Sequence, residues 1–194
     1  MKKTAVVALI PVLIPALPAP AAAAPFWDVY NPRDKGGIEI AGDYLQIAIP
    51  LSGFIYSAII GDWRGTGQLG LSFGATWATT EILKKTIREE RPDAPEGSHG
   101  DTFPSGHTSA AFAGAGYWQR RYGWAVGTPM YAAATFVAYS RVQAHAHNWL
   151  DVATGAAIGI GFNYLFTSRY VPAGTEISVA PTDGGAMFRF STQF

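Results

Sequence analysis

Thr108-Ser-Ala-Ala-Phe-Ala-Gly-Ala-Gly-Tyr-Trp-Gln119 holds no Asp, Glu, Lys or Arg, and half of it is Ala or Gly. Four other stretches share this character: Tyr44–Gly61, Gly65–Thr80, Tyr122–Ser140 and Val152–Ser168. Charged residues gather at their ends, and Asp62–Gly67 and Pro92–Phe103 are rich in Gly, Pro, Asp and Ser, as loops are. The pattern predicts five helices, about 43–60, 66–89, 105–120, 125–141 and 148–167. The fold class expected is therefore all-α, a helical bundle of about five to six helices. The longest charge-free stretch, Tyr122–Ser140, has 19 residues and contains Gly127 and Pro129. All five sit at or below the roughly 20 residues that cross a bilayer. Short transmembrane helices and the buried helices of a soluble bundle both fit.

Composition narrows the classes of function. The chain has 194 residues, 48% of them apolar and 14% charged, which excludes a disordered protein. Fourteen basic and fourteen acidic residues cancel, so no field of one sign steers a polyanion, and nucleic acid is not an expected partner. With no cysteine there is no disulfide framework, thiolate metal site or cysteine nucleophile.

The two ends read differently from the middle. Lys2 and Lys3 precede an apolar run, Ala5–Leu17, and the small residues Ala21–Ala24. That is the pattern of a signal peptide over 1–23, cut before Ala24, and it predicts export to the periplasm of a bacterial cell envelope. The alternative, an uncleaved anchor, is disfavoured by Pro11, Pro15, Pro18 and Pro20. Residues 24–42 read as an irregular lead-in, 43–168 as the helical domain and 169–194 as a tail. In the tail, Glu176–Ala180 and Ala186–Phe194 flank a turn-forming Pro181-Thr-Asp-Gly-Gly185, which suggests a C-terminal β-hairpin.

Three short motifs carry chemistry. Lys84 and Arg91 are seven apart, about two helical turns, and so share a face near the end of the second helix, which Pro92 then stops. Solvated pairing with the neighbouring Glu81, Glu89 and Glu90 is the plainer reading of that segment taken alone. Pro104-Ser105-Gly106-His107 opens an Ala-rich run. It marks a helix start, whose free N–H groups and positive dipole end bind anions, and Gly106 lets a ligand approach the backbone. Ser105 would serve equally as a plain cap. Ser140-Arg141 is followed by His147 and Asp151. If the fifth helix has begun by His147, Asp151 lies one turn later on the same face. A carboxylate on one imidazole nitrogen leaves the other a lone pair for attack. Arg141 offers a planar donor fork suited to phosphate.

Together, Lys84-x6-Arg91-Pro92, Pro104-Ser-Gly-His107 and Ser140-Arg-x5-His147-x3-Asp151 resemble the signature of the type 2 phosphatidic acid phosphatase superfamily. That superfamily also includes bacterial class A acid phosphatases and vanadium haloperoxidases. Every signature position is matched, in order, from Lys84 to Asp151. The resemblance implies that His147 is the nucleophile and forms a phosphohistidine. Asp151 would orient it, and His107 would protonate the leaving alcohol and then activate water. Lys84, Arg91, Ser105, Gly106 and Arg141 would bind the phosphoryl oxygens. Three cations against a dianionic phosphoryl group supply the charge stabilisation required, so neither a metal nor any other cofactor is expected. His145 and His99 match no signature position, and surface or supporting roles are the reading for both.

The Ala/Gly-rich pattern is similar to the lipid phosphatases of the superfamily more than to its polar acid phosphatases. The expected activity is removal of phosphate from a lipid phosphate, with a membrane surface or bilayer as partner. Alternatives are an acid phosphatase on soluble esters, a vanadium-dependent haloperoxidase, for which the chain is short, and a non-enzymatic envelope protein.

Overall fold

The computed structural model describes residues 35–89, 100–172, 175–182 and 185–192. The expected signal peptide, Arg91 and His99 lie outside the described residues. Five helices follow one another: α1 Gly37–Ile59, α2 Trp63–Ile87, α3 Gly106–Tyr122, α4 Trp124–Gln143 and α5 Trp149–Phe166. A two-stranded antiparallel hairpin closes the chain, β1 Thr175–Thr182 with β2 Gly185–Thr192. Its register pairs Thr182 with Gly185, so only Asp183 and Gly184 connect the strands.

Local chemistry sets most boundaries. Asp62 caps α2 by accepting the Gly65 N–H at 2.9 Å, Ser105 caps α3, and Asn148 opens α5 with a full capping box. Gly123, at φ 103°, ends α3 and starts α4, a left-handed backbone that a side chain resists. The clearest departures from the sequence reading are in α1 and α2. Helix α2 starts at Trp63, inside the expected Asp62–Gly67 loop, because Asp62 caps it there. Helix α1 begins at Gly37 and takes in the last six residues assigned to an irregular lead-in. There Gly36 and Gly37, which read as loop residues, sit at a helix start that has no side-chain cap. Helix α2 stops at Ile87 because Arg88 turns left-handed, φ 53° and ψ 43°, well before Pro92.

Helix α3 is the axis of the bundle, and each of the other four helices packs on it. Its inward residues are small: Ala111, Ala113 and Ala115 are fully buried, with Ile49, Ala134 and Val137 around them. Backbones therefore come close. A Cβ on Gly155 would lie 2.6 Å from the Ser105 carbonyl, and one on Gly159 2.5 Å from that of Ser109. One turn further along α5, the Asn163 amide donates to the Ala113 carbonyl at 2.7 Å. This Gly-Gly-Asn stripe sets α5 against the first turns of α3. It thereby brings the second and third motifs together.

Candidate active site

The helices run alternately up and down, so the motif-bearing ends meet. The starts of α1, α3 and α5 and the ends of α2 and α4 lie at one end of the bundle. Three helix N-termini, each with a positive dipole end, and the basic residues of two C-termini share that end.

Ser105 and Gly106 stand where the sequence placed them. The Ser105 hydroxyl accepts the Thr108 N–H, and the Ser105 N–H donates to the Asp151 carbonyl at 3.1 Å, a direct tie between two motifs. Lys84 reaches the same helix start: its Cε lies 3.8 Å from where a Gly106 Cβ would be. Its Nζ donates to the Asp101 carbonyl.

His147 is buried, but it precedes α5 and is not part of that helix. The one-turn argument for its pairing with Asp151 is thus corrected: Asn148 is the cap, and Asp151 reaches back. Asp151 Oδ2 accepts the Asn148 N–H at 2.8 Å and stands 3.5 Å from His147 Nδ1. The second distance is at the outer edge of hydrogen-bond range. Burial pushes His147 down to about 4; the Asp151 carboxylate opposes this and the Lys84 charge adds to it. The imidazole is therefore neutral near pH 7, the form with a lone pair to give.

The sequence reading missed Asp43, which α1 brings to the same place. Its Oδ1 lies 3.1 Å from His107 Nε2 and accepts from Arg141 Nη1 at 2.6 Å. Its Oδ2 accepts from Lys35 at 2.9 Å. Arg141 is buried, and two of its four other N–H groups go to the Glu39 carbonyl at 2.6 Å and the Ser140 hydroxyl at 3.1 Å. Burial pushes the Asp43 carboxyl up, but the bonds from His107 and Lys35 and the Arg141 charge outweigh it, holding the group well below the usual carboxylate range. The available signal was an acid next to Gly42, one turn after Glu39, at the edge of a charge-free stretch. His145 is exposed on the α4–α5 connection at φ 54°. Among the described residues, no three His, Asp or Glu side chains gather as a metal site requires.

The domain model of the PAP2 superfamily matches residues 65–173, from the first turn of α2 past the end of α5. The chain belongs to the PAP2 superfamily. As a PAP2 protein it is a phosphatase, of the same superfamily as the lipid A 4'-phosphatase of Helicobacter pylori, to which it is 36% identical over 152 residues, 73% of this chain and 76% of that one. A lipid A 1-phosphatase of Porphyromonas gingivalis is 39% identical over 70 residues, 34% of this chain and 16% of its own length. Among solved structures, Aquifex aeolicus LpxE superposes with a TM-score of 0.57 at 22% identity, over 66% of this chain and 84% of that one. That likeness shows the PAP2 helical fold. The matched residues begin after α1, so Asp43 lies outside the region that defines the superfamily.

Proposed function

We propose that this PAP2 phosphatase removes phosphate from a phosphorylated lipid of the lipid A type, without a metal, through a phosphohistidine on His147. In the first step the neutral His147 forms a bond to phosphorus. The phosphorus–oxygen bond to the alcohol breaks, and the leaving oxygen takes a proton from His107. In the second, water gives a proton back to His107 and attacks phosphorus, and the nitrogen–phosphorus bond breaks to release inorganic phosphate. Lys84, Arg141, Arg91, the Ser105 hydroxyl and the Gly106 N–H hold the phosphoryl oxygens, where negative charge builds up.

The observation that carries the lipid reading is an inverted surface. Toward the core α1 turns Gly42, Gln46, Gly53 and Ser57 together with Ile49 and Pro50, while Ile40, Tyr44, Ile47, Leu51, Ile55 and Ile59 form an exposed stripe along its length. Trp149 is 64% exposed at the site end, and Trp63 and Trp124 are 70% and 60% exposed at the other. A soluble monomer rarely shows apolar surface on this scale, and a small, polar interior under an apolar exterior fits contact with lipid. Among the described residues, no helix is long and apolar enough to cross a membrane. The lipid A 4'-phosphatase relative supports the same substrate class, and the amino-terminal pattern supports export to the envelope.

The test is phosphate release by purified full-length protein in detergent from lipid A bisphosphate, phosphatidate, glycerol 3-phosphate and a nucleotide, each with and without EDTA. Release from lipid A that EDTA does not reduce is expected. Preference for the soluble esters, or activity lost to EDTA and restored by a divalent ion, would contradict the proposal.

A further inference from the structure

We propose that Asp43 is the positioning residue of the proton-transfer half of this site: its carboxylate holds His107 in the protonated form and fixes the guanidinium of Arg141 beside it. This deepens the phosphatase reading and rests on it.

Charge near His107 makes the case. A group that must donate a proton to the leaving oxygen has to keep that proton until the bond breaks. Among the described residues, the charged groups brought to this end beside it include Lys84 from α2, Arg141 from α4, the His147 imidazole from the α4–α5 connection, Asp43 from α1 and Lys35 just before that helix. Neighbouring cations disfavour an imidazolium, as His147 shows, where the Lys84 charge adds to the effect of burial. Asp151 serves His147, at 3.5 Å. Among the described residues, Asp43 is the acid beside His107, its Oδ1 lying 3.1 Å from Nε2.

Position is held as firmly as charge. A Cβ on Gly42 would overlap the Ser140 hydroxyl, so α1 lies directly against the end of α4. Arg141 donates both to Asp43 and to the Glu39 carbonyl one turn earlier, and Lys35 holds the second carboxylate oxygen. One oxygen atom thus faces both the proton donor and the arginine expected to hold the phosphoryl group. Displacing it should disturb the two together.

The chain has only four histidines, so each imidazole can be assigned in an NMR titration of the full-length protein by substituting one at a time. In Asp43→Asn, which keeps the shape and an oxygen for Arg141, His107 should titrate one or more pH units lower than in the native protein. The basic limb of kcat/KM should move to lower pH by a similar amount. The loss of rate should be larger for an alkyl phosphate, whose leaving oxygen needs the proton, than for p-nitrophenyl phosphate, whose does not. An unmoved His107 titration with equal losses on both esters would overturn the proposal and leave Asp43 a structural contact. Tighter binding of inorganic phosphate and a higher rate in Asp43→Asn would also overturn it, by showing a carboxylate that competes with substrate. The titration reads the Asp43–His107 coupling whichever ester is hydrolysed, so failure here and failure of the proposed function are distinguishable.

Discussion

The two ends of the helical bundle use the same kinds of residue to opposite effect. At the end away from the motifs, Asp62 accepts from Arg121 Nη2 at 2.5 Å, Arg121 Nε at 2.7 Å, the Tyr122 hydroxyl at 2.9 Å and the Gly65 N–H at 2.9 Å. Arg121 Nη1 donates to the carbonyls of Ser168 and Arg169, both at 3.0 Å, and Ser57 joins Tyr117 and Tyr122 at 2.6 and 2.9 Å. This cluster is buried and saturated, and it ties the α1–α2 turn to the ends of α3 and α5. At the motif end, His147 Nδ1 stands 3.5 Å from its carboxylate, and Asp151 Oδ1 has no hydrogen-bond partner among the described residues. Gln119 Oε1 and Arg120 Nε near the other end also lack a partner among the described residues, so what sets the motif end apart is that its loosely held groups, His147 and Asp151, are a buried titratable pair. One end closes the bundle; the other gathers the three motifs.

The largest effects should separate the two ends by what they destroy. His147→Ala should lower kcat by about four orders of magnitude or more, as loss of a covalent nucleophile does. Denaturant unfolding should show it keeping more stability than either far-end variant. Asp62→Ala and Arg121→Ala each strand a buried charge and should cost about 3–5 kcal/mol in the same assay, with kcat per folded molecule little changed. A far-end variant that loses catalysis while staying folded would break the division.

Acid should also act on the two ends in different windows. His147 has a folded value of about 4 against the ordinary 6.5 of a histidine, so the unfolded chain takes up its proton first. Its contribution to stability is present above about 6.5 and falls as the pH drops toward about 4, where the nucleophile itself protonates and the acidic limb of kcat/KM should lie. Burial pushes the Asp62 carboxyl up, but hydrogen bonds from Arg121, Gly65 and Tyr122 outweigh it and lower it below its ordinary 3.8. Its stabilisation is therefore present above about 3.8 and lost only as the pH falls further, through the lowered folded value. Activity measured alongside far-UV circular dichroism should fall before the fold does. The smallest effect is expected for Ser57→Ala, about 1 kcal/mol with unaltered kcat, because Tyr117 and Tyr122 retain each other at 3.4 Å.

Charge-free stretches bounded by charged residues made the five helices legible, and the three motifs located His107, Arg141, His147 and Asp151 because each sits at a helix end with its own local signal. The core was not legible in the same way. Apart from Ile49 and Pro50 on α1 and Leu69 on α2, the inward faces of these two helices are small or polar, and most of their large apolar residues point out, so apolar periodicity is a poor guide to the buried face there. The Asp62–Arg121 pair spans 59 positions and the Asp43–Arg141 pair 98, with no spacing to announce either. The end of α2 was misplaced because a left-handed Arg88 does what a glycine more often does.

Trapping the covalent intermediate tests the central claim most directly. In His107→Ala the nucleophile remains and the proton donor is gone, so p-nitrophenyl phosphate, which needs no protonation to leave, should give a stoichiometric burst of nitrophenol with little turnover. Mass spectrometry of digests kept out of acid should then find phosphate on the peptide containing His147. Phosphate on another residue, or the same burst surviving in His147→Ala, would contradict the account.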